Sequence, residues 1–312
     1  MRGTEVGRPA APTAEDDRVT IVVVSRNRRR QLLNSLGHHR APVVLVDNGS
    51  TDGTAAAVGA AFPDARVCRL DRNVGSFART LGVRQVSTPY AAFADDDSWW
   101  EAGSLHGVAQ MLDQHPQLGL LVARIVVGPE QRLDPVCLDL AASPLKDPTL
   151  PGRPVLGFVD CAAMVRVEAF RAAGGFDDII RFPGEEARLA MDLAAGGWQL
   201  AYLDELLVHH HPSGPRDPRA REAAIVRSRL LTAVMRWPWR RVVPVAIQSA
   251  SAGPTTRSGL HQALPALPAA LRARRVLPAH VLDVLDLIGR EGARAQSTTA
   301  GAGKTIGGRG RS

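Results

Sequence analysis

From Arg18 onward, short β-branched runs alternate with stretches of helical spacing. Arg18–Val24 (RVTIVVV), Pro42–Asp47 (PVVLVD), Ala65–Leu70 and Tyr90–Ala94 read as buried strands. A strand covered on both faces shows a near-continuous apolar run rather than strict alternation. Helices are predicted between them: about Arg28 to Leu36, from a cap at Asp52 or Thr54 through Ala61, and Val74–Val86. Asn48-Gly49-Ser50 reads as a turn. The alternation predicts an α/β protein with a mostly parallel central sheet and helices on both faces.

The second half is less regular. Residues 128–154 are proline-rich and predict a loop-rich insertion over the site. Val155–Val167 reads as strand, Glu168–Ala173 as a short helix closed by Gly174-Gly175, and Phe176–Gly184 as a loop. Glu185–Ala195 follows as a helix, with Trp198–Tyr202 and Leu206–His210 as strands. Arg219–Met235 is a basic amphipathic helix, broken by Trp237-Pro238-Trp239, and Ala266–Ile288 holds one or two more. The expected organisation is a disordered leader (1–17), a first half-domain (18–127), a second (128–215), a helical extension (216–292) and a disordered Gly/Ser/Thr/Arg tail (293–312).

Composition narrows this picture. With 312 residues and 45% hydrophobic positions the chain can bury a substantial core, which excludes wholesale disorder. No apolar run reaches the roughly 18 residues of a spanning helix. The polar start lacks an apolar h-region, so no signal peptide is expected. Cys68, Cys137 and Cys161 fit neither a disulfide framework nor a zinc pattern, and a cytoplasmic protein is expected. Charge is uneven: residues 1–215 carry 21 basic and 26 acidic side chains, a balance of −5. Residues 216–312 carry 17 and 5, a balance of +12. Such a basic segment suits an anionic membrane or simply solubility. No nucleic-acid-reading motif accompanies it, and no nucleic-acid partner is expected.

In open parallel sheets ligands bind beyond the carboxyl ends of the strands. Four successive predicted strand ends carry polar clusters: Ser25-Arg26-Asn27, Asp47-Asn48, Asp71-Arg72-Asn73 and Asp95-Asp96-Asp97. Carboxylates at positions 95 and 97 can reach one divalent cation, and Mg²⁺ and Mn²⁺ take such oxygen donors together with a substrate phosphate. The bland alternative is a solvated acidic turn. His209-His210-His211 ends the last predicted strand; period two puts His210 on the face of Leu206 and Val208, while a surface histidine cluster is the alternative. An imidazole ligand would favour manganese over magnesium. Trp99 and Trp100 suit stacking on a ligand ring or lid packing, and Asp160 suits a ligand-binding carboxylate or a strand-end charge. Gly303-Lys304-Thr305 is a decoy for a phosphate loop, because Thr298 stands where its first glycine belongs.

The segments TIVVVSRNR (20–28), VVLVDNGSTDGT (43–54), DRNVGSFARTLGV (71–83) and FADDDSWW (93–100), in this order and spacing, resemble family 2 glycosyltransferases of the GT-A fold. The stretch 174–213 resembles their acceptor side, the likeness covers about residues 18–215, and Trp99, Trp100 and Asp160 would then bind the acceptor. The likeness implies inverting transfer of a sugar from a nucleoside diphosphate sugar, UDP by default, to a hydroxyl-bearing acceptor, with Mn²⁺ or Mg²⁺. Asp95 would lie near ribose and sugar, Asp97 and Asp95 would ligate the metal with His210, and Asp47 would face the base. Arg72 and Asn73 would lie along the nucleotide, with Ser25, Asn27, Asn48 and Asp96 completing the donor site. The family's Glu-Asp pair is Glu185-Glu186 here; by position Glu186 would be the base, with Glu185 as the alternative. The departure from Asp lengthens the side chain by one methylene and shifts where an acceptor sits. Ordinary first-turn acid is the competing explanation of the pair. A non-catalytic nucleotide-sugar-binding protein and a basic membrane or nucleic-acid adaptor are the competing functions.

Overall fold

The computed structural model describes residues 14–212 and 217–305. The first half is built as the apolar runs predict. Strands β1 (Val19–Ser25), β2 (Val43–Asp47), β3 (Arg66–Arg69) and β4 (Tyr90–Asp95) are parallel, linked by helices α1 (Arg29–Leu36), α2 (Thr54–Ala61) and α3 (Phe77–Val83). Side chains along β1 and β4 are buried almost throughout, so both sheet faces are covered. The register pairs Ser25 with Asp47, Asp47 with Arg69 and Val24 with Asp95, which brings the polar strand ends to one edge.

Beyond β4 come β5 (Ser98–Trp100), α4 (Ser104–Gln114), β6 (Leu118–Val127), β7 (Arg132–Leu133), α5 (Pro135–Ala141) and β8 (Arg153–Pro154). A 3-10 turn (Asp160–Ala162), β9 (Ala163–Arg166), α6 (Val167–Ala172), α7 (Glu185–Ala195) and β10 (Gln199–His210) complete this half. The sheet runs β3-β2-β1-β4-β9-β6-β10-β5, with β9 antiparallel to both β4 and β6, and β7 and β8 pairing β6 and β10. β10 pairs with β6 parallel and with β5 antiparallel, which sets His210 opposite Ser98 beside the triple aspartate.

Several expected elements differ. Val155–Val167 is not one strand: only Ala163–Arg166 pairs as a strand, because the chain first turns through Asp160–Ala162. The two segments expected in 198–210 form the single strand β10, with a register shift between Leu203 and Leu207. No residue of 128–154 lines the cleft at the strand ends; β8 pairs the opposite end of β10, at Ala201 and Tyr202, and Arg181 and Phe182 of the 176–184 loop line the cleft instead. The expected leader stops short of residue 17. Asp16 is buried against Arg18 and His106, and the Glu15 amide donates to the Arg40 carbonyl. Residues 1–13 lie outside the described residues.

The C-terminal extension comprises α8 (Pro218–Arg236), α9 (Trp239–Ser251), α10 (Pro254–Ala263), α11 (Leu267–Arg272) and α12 (Ala279–Thr305). α12 thus continues through the first part of the segment read as a disordered tail, and residues 306–312 lie outside the described residues. A second apolar cluster joins Leu230, Leu231 and Met235 of α8 to Val242 and Val245 of α9 and to Ile180 of the cleft loop. Buried charges tie the extension to α7: Arg236 Nε meets Asp192 at 2.5 Å, Arg188 Nη1 meets Asp192 at 2.5 Å, and Arg188 Nε meets Asp177 at 2.7 Å. Removing one partner from such a network leaves an uncompensated buried charge. Arg227 donates to the Ile179 carbonyl and Ser228 to that of Arg181. The extension therefore fixes the loop that walls the cleft.

Candidate active site

A cleft of about 450 Å³ opens at the carboxyl ends of β1 and β4, walled by the α3 N-terminal turn and by Arg181 and Phe182. Two turns shape it. Asn48 donates its amide to Asn73 Oδ1 and to the Gly75 carbonyl, each at 3.1 Å, and its Oδ1 accepts from the Val74 amide. Gly49 permits this contact: its φ is +77°, and a Cβ there would lie 2.6 Å from the Arg72 carbonyl carbon.

The three aspartates diverge. Asp96 turns to Ser25, whose hydroxyl donates to it at 3.0 Å, and to Arg28 Nε at 3.0 Å. Burial pushes its carboxyl up to about 6, against the pull of Arg28. Asp95 meets Arg79 Nη2 at 2.6 Å, and Asp97 meets Arg28 Nη2 at 2.7 Å. His210 Nε2 lies 3.4 Å from Asp97 Oδ1. Burial depresses the imidazole, but its hydrogen bond to Asp97 and the charges of Asp97 and Asp95 outweigh this and raise it. One ligand atom from each of Asp95, Asp97 and His210 falls within 4.8 Å of the others. Two carboxylate oxygens and one imidazole nitrogen form a donor set that fits Mn²⁺ and leaves coordination positions for a diphosphate.

A second acidic cluster lies behind Arg79. Asp160, Glu185 and Glu186 bring carboxylate oxygens within 4.8 Å of one another. Arg79 Nη2 lies 2.7 Å from Asp160 while holding Asp95, so one buried guanidinium joins the two clusters. Glu185 and Glu186 open α7 after Gly184, whose φ of +107° lets the chain enter the helix. Glu185 is wholly buried, and Glu186 is half-buried.

The profile of the family described as Glycosyl transferase family 2 matches residues 13–174, just over half of the chain. The chain belongs to glycosyl transferase family 2. A pre-mycofactocin glycosyltransferase of Mycobacterium tuberculosis is 31% identical over 227 residues, 69% of this chain and 47% of that protein. An N-acetylglucosaminyl-diphospho-decaprenol L-rhamnosyltransferase of the same organism is 27% identical over 217 residues, 58% of this chain and 71% of that one. The chain thus spans about half the length of the first of these relatives. Among solved structures, the mannosyltransferase PcManGT from Pyrobaculum calidifontis, in complex with GDP-Man and Mn²⁺, aligns with a TM-score of 0.56 at 20% identity, covering 92% of this chain and 83% of that one. GalNAc-T7 with UDP, GalNAc and Mn²⁺ gives 0.56 at 14%, covering 76% and 51%. These likenesses show the GT-A fold.

Within this family 2 chain, the expected site residues divide. Asn48, Asn73, Asp95, Asp96 and Asp97 line the cleft; Ser25 supports it through Asp96. Asp47 does not face it: the side chain is buried and accepts the Ser50 amide at 2.9 Å, holding the turn. Asn27 and Arg72 are exposed and do not line it; Asn27 Oδ1 accepts the Thr51 amide. Trp100 is core, its indole donating to the Phe93 carbonyl at 3.0 Å, so it does not face an acceptor. Trp99 is stacked by His38 at 4.3 Å and His209 at 5.3 Å, with His211 tilted against it at 4.7 Å; imidazoles already occupy its ring. Asp160 is buried against Arg79 and shares the cluster of Glu185 and Glu186.

Sequence reasoning missed Arg28, Arg79 and Arg181. Arg79 left one signal, a lone charge among the apolar positions of the α3 segment. Arg28 and Arg181 left none, since nothing local marks which of many arginines reaches the aspartates or lines the cleft.

Proposed function

We propose that the protein is an inverting, metal-dependent glycosyltransferase that moves a sugar from a nucleoside diphosphate sugar, UDP by preference, to an acceptor hydroxyl. The observation that carries this reading is the pairing of two carboxylate clusters across Arg79. One, at the strand ends, suits a cation and the donor; the other ends in Glu186. The neighbours solved with UDP or GDP-Man and Mn²⁺ supply the donor class.

Asp95, Asp97 and His210 would hold the cation, which would offset the charge developing on the departing diphosphate. Arg26 and Arg181 line the same cleft and suit an anionic ligand. Glu186, half-buried at the helix start, takes the acceptor hydroxyl's proton as its oxygen bonds to the anomeric carbon. The bond from that carbon to the diphosphate oxygen breaks at the same time, and the electron pair leaves with the diphosphate. Attack opposite the leaving group inverts the anomeric centre.

Calorimetric titration of UDP, GDP and dTDP, with Mn²⁺ and then with EDTA, tests the donor site. We expect one nucleotide to bind only with the metal, and UDP to be that nucleotide. Failure of all three under both conditions would overturn the reading.

We also propose a peripheral contact with anionic membrane, which suits a lipid-linked acceptor. No helix among the described residues is long and apolar enough to cross a membrane. However, α9 exposes Trp239, Val243 and Ile247 at four-residue spacing, with exposed Arg240 beside them. The +12 balance of residues 216–312 (17 basic, 5 acidic) complements anionic headgroups and repels a second copy. The protein should co-sediment with phosphatidylglycerol vesicles and not with phosphatidylcholine vesicles. Ile247→Glu should weaken this roughly tenfold or more, since burying one such side chain is worth about 1.5–3 kcal/mol. Equal binding to both vesicle types would overturn the proposal.

A further inference from the structure

Glu185 is 0% exposed, and neither of its carboxylate oxygens has a hydrogen-bond partner among the described residues. It is nonetheless aimed into a cluster: its carboxylate lies within 4.8 Å of those of Asp160 and Glu186. The charged groups facing it are Glu186 on its own helix, Asp160 on the 3-10 turn and Arg79 on α3. Arg79 is the one cation of that set, and it is already shared between Asp160 at 2.7 Å and Asp95 at 2.6 Å. A buried carboxylate whose nearest cation is already paired to two others, and whose oxygens accept no hydrogen bond, is expensive, and the cheaper state is the neutral acid. Glu186 differs in exposure: it is half-buried at the helix start, where Glu185 is wholly enclosed.

We infer that Glu185 is a positioning residue that works as a neutral acid at the pH of turnover, leaving Glu186 as the ionised member of the pair. The inference rests on Glu186 being the base. In its neutral form Glu185 spares Glu186 a second negative charge inside the cluster and leaves Arg79 shared between Asp160 and Asp95. No proton leaves Glu185 during transfer: the acceptor proton goes to Glu186 and from there to solvent after release. Burial first, then the charges of Glu186 and Asp160, push the Glu185 carboxyl up to about 9.

Linkage supplies a test that needs no turnover. A carboxyl whose pKa is raised on folding contributes stability that is complete below its unfolded pKa, about 4.5, and lost as pH rises through the folded value. Between pH 6 and 8 the wild-type unfolding constant should therefore increase about tenfold per pH unit relative to Glu185→Gln, which carries no such proton. Glu185→Met, also neutral, carries the same readout if the glutamine variant fails to fold. Parallel stability curves would overturn the inference, because Glu185 would then be ionised in the native state. The activity profile adds a second readout. Wild-type turnover should fall as pH rises through about 9, when Glu185 ionises, and Glu185→Gln should lose that limb. A glutamine variant that loses turnover at every pH while Glu186→Gln retains it would overturn the assignment by making Glu185 the base. If the wild type transfers no sugar at all, the reading of function fails while the stability curves still decide the inference.

Discussion

Glu186→Gln is expected to lower turnover by about 10²- to 10⁴-fold, the range that a positioned general base contributes, while donor affinity stays at the wild-type level. The substitution is nearly isosteric and keeps the helix start, because the turn is made by Gly184 and α7 rather than by the carboxylate. What it removes is the ability to accept a proton. The pH dependence follows from the same environment. Burial, opposed by backbone donors and by Arg79, raises the Glu186 carboxyl above the ordinary glutamate range. A base must be ionised to act, so turnover should rise with pH through that elevated value, and the glutamine variant should lose this acid limb. Steady-state kinetics beside donor calorimetry decide the matter. Turnover within a few-fold of wild type would remove Glu186 from the chemistry.

The parts of this site that were legible in the sequence are those set by local pattern. β1, β2 and β4 are apolar runs ending in polar residues, and a parallel sheet aligns such ends, so Asn48, Asp95 and Asp97 meet as expected. Period two at the end of β10 put His210 on the face of Leu206 and Val208, and the structure sets it 3.4 Å from Asp97. The pairings that tune the site were not legible, because they join distant positions through long side chains. Arg28 reaches Asp96 and Asp97, and Arg79 reaches both Asp95 and Asp160. Trp99 and Trp100 show the limit of residue type as a guide. They are neighbours on one strand, so they alternate; Trp100 enters the core and Trp99 is taken up by imidazoles. Asp160 reads as a strand-end charge only if 155–167 is a strand. The 3-10 turn instead drives it under the cleft to Arg79. The extension was legible as helical and basic, but its tie to α7 through Arg236 and Asp192 is a tertiary fact.

Asp97→Ala should abolish metal-dependent nucleotide binding, so that affinities measured with Mn²⁺ and with EDTA become equal. Asp97 is the pivot of the first cluster: Arg28 approaches it at 2.7 Å and His210 at 3.4 Å, and it is one of only two carboxylates in the donor set. Without it a cation would keep one carboxylate and one imidazole, too few hard donors to compete with water for Mn²⁺ or Mg²⁺. A diphosphate would then face Asp95 and Asp96 with less positive charge to offset them. The loss should be specific to the metal, because other groups also hold the local backbone. The His211 amide donates to the Asp97 main-chain carbonyl, and the Asp95 amide to the Ser98 hydroxyl. Circular dichroism should therefore match the wild type. Arg28, released from Asp97, retains Asp96 at 3.0 Å. Binding that still strengthens with Mn²⁺ in the variant would mean that the cation is held elsewhere. The remaining carboxylate cluster, Asp160, Glu185 and Glu186, would be the place to test next, and Glu186 would then be a ligand rather than a base.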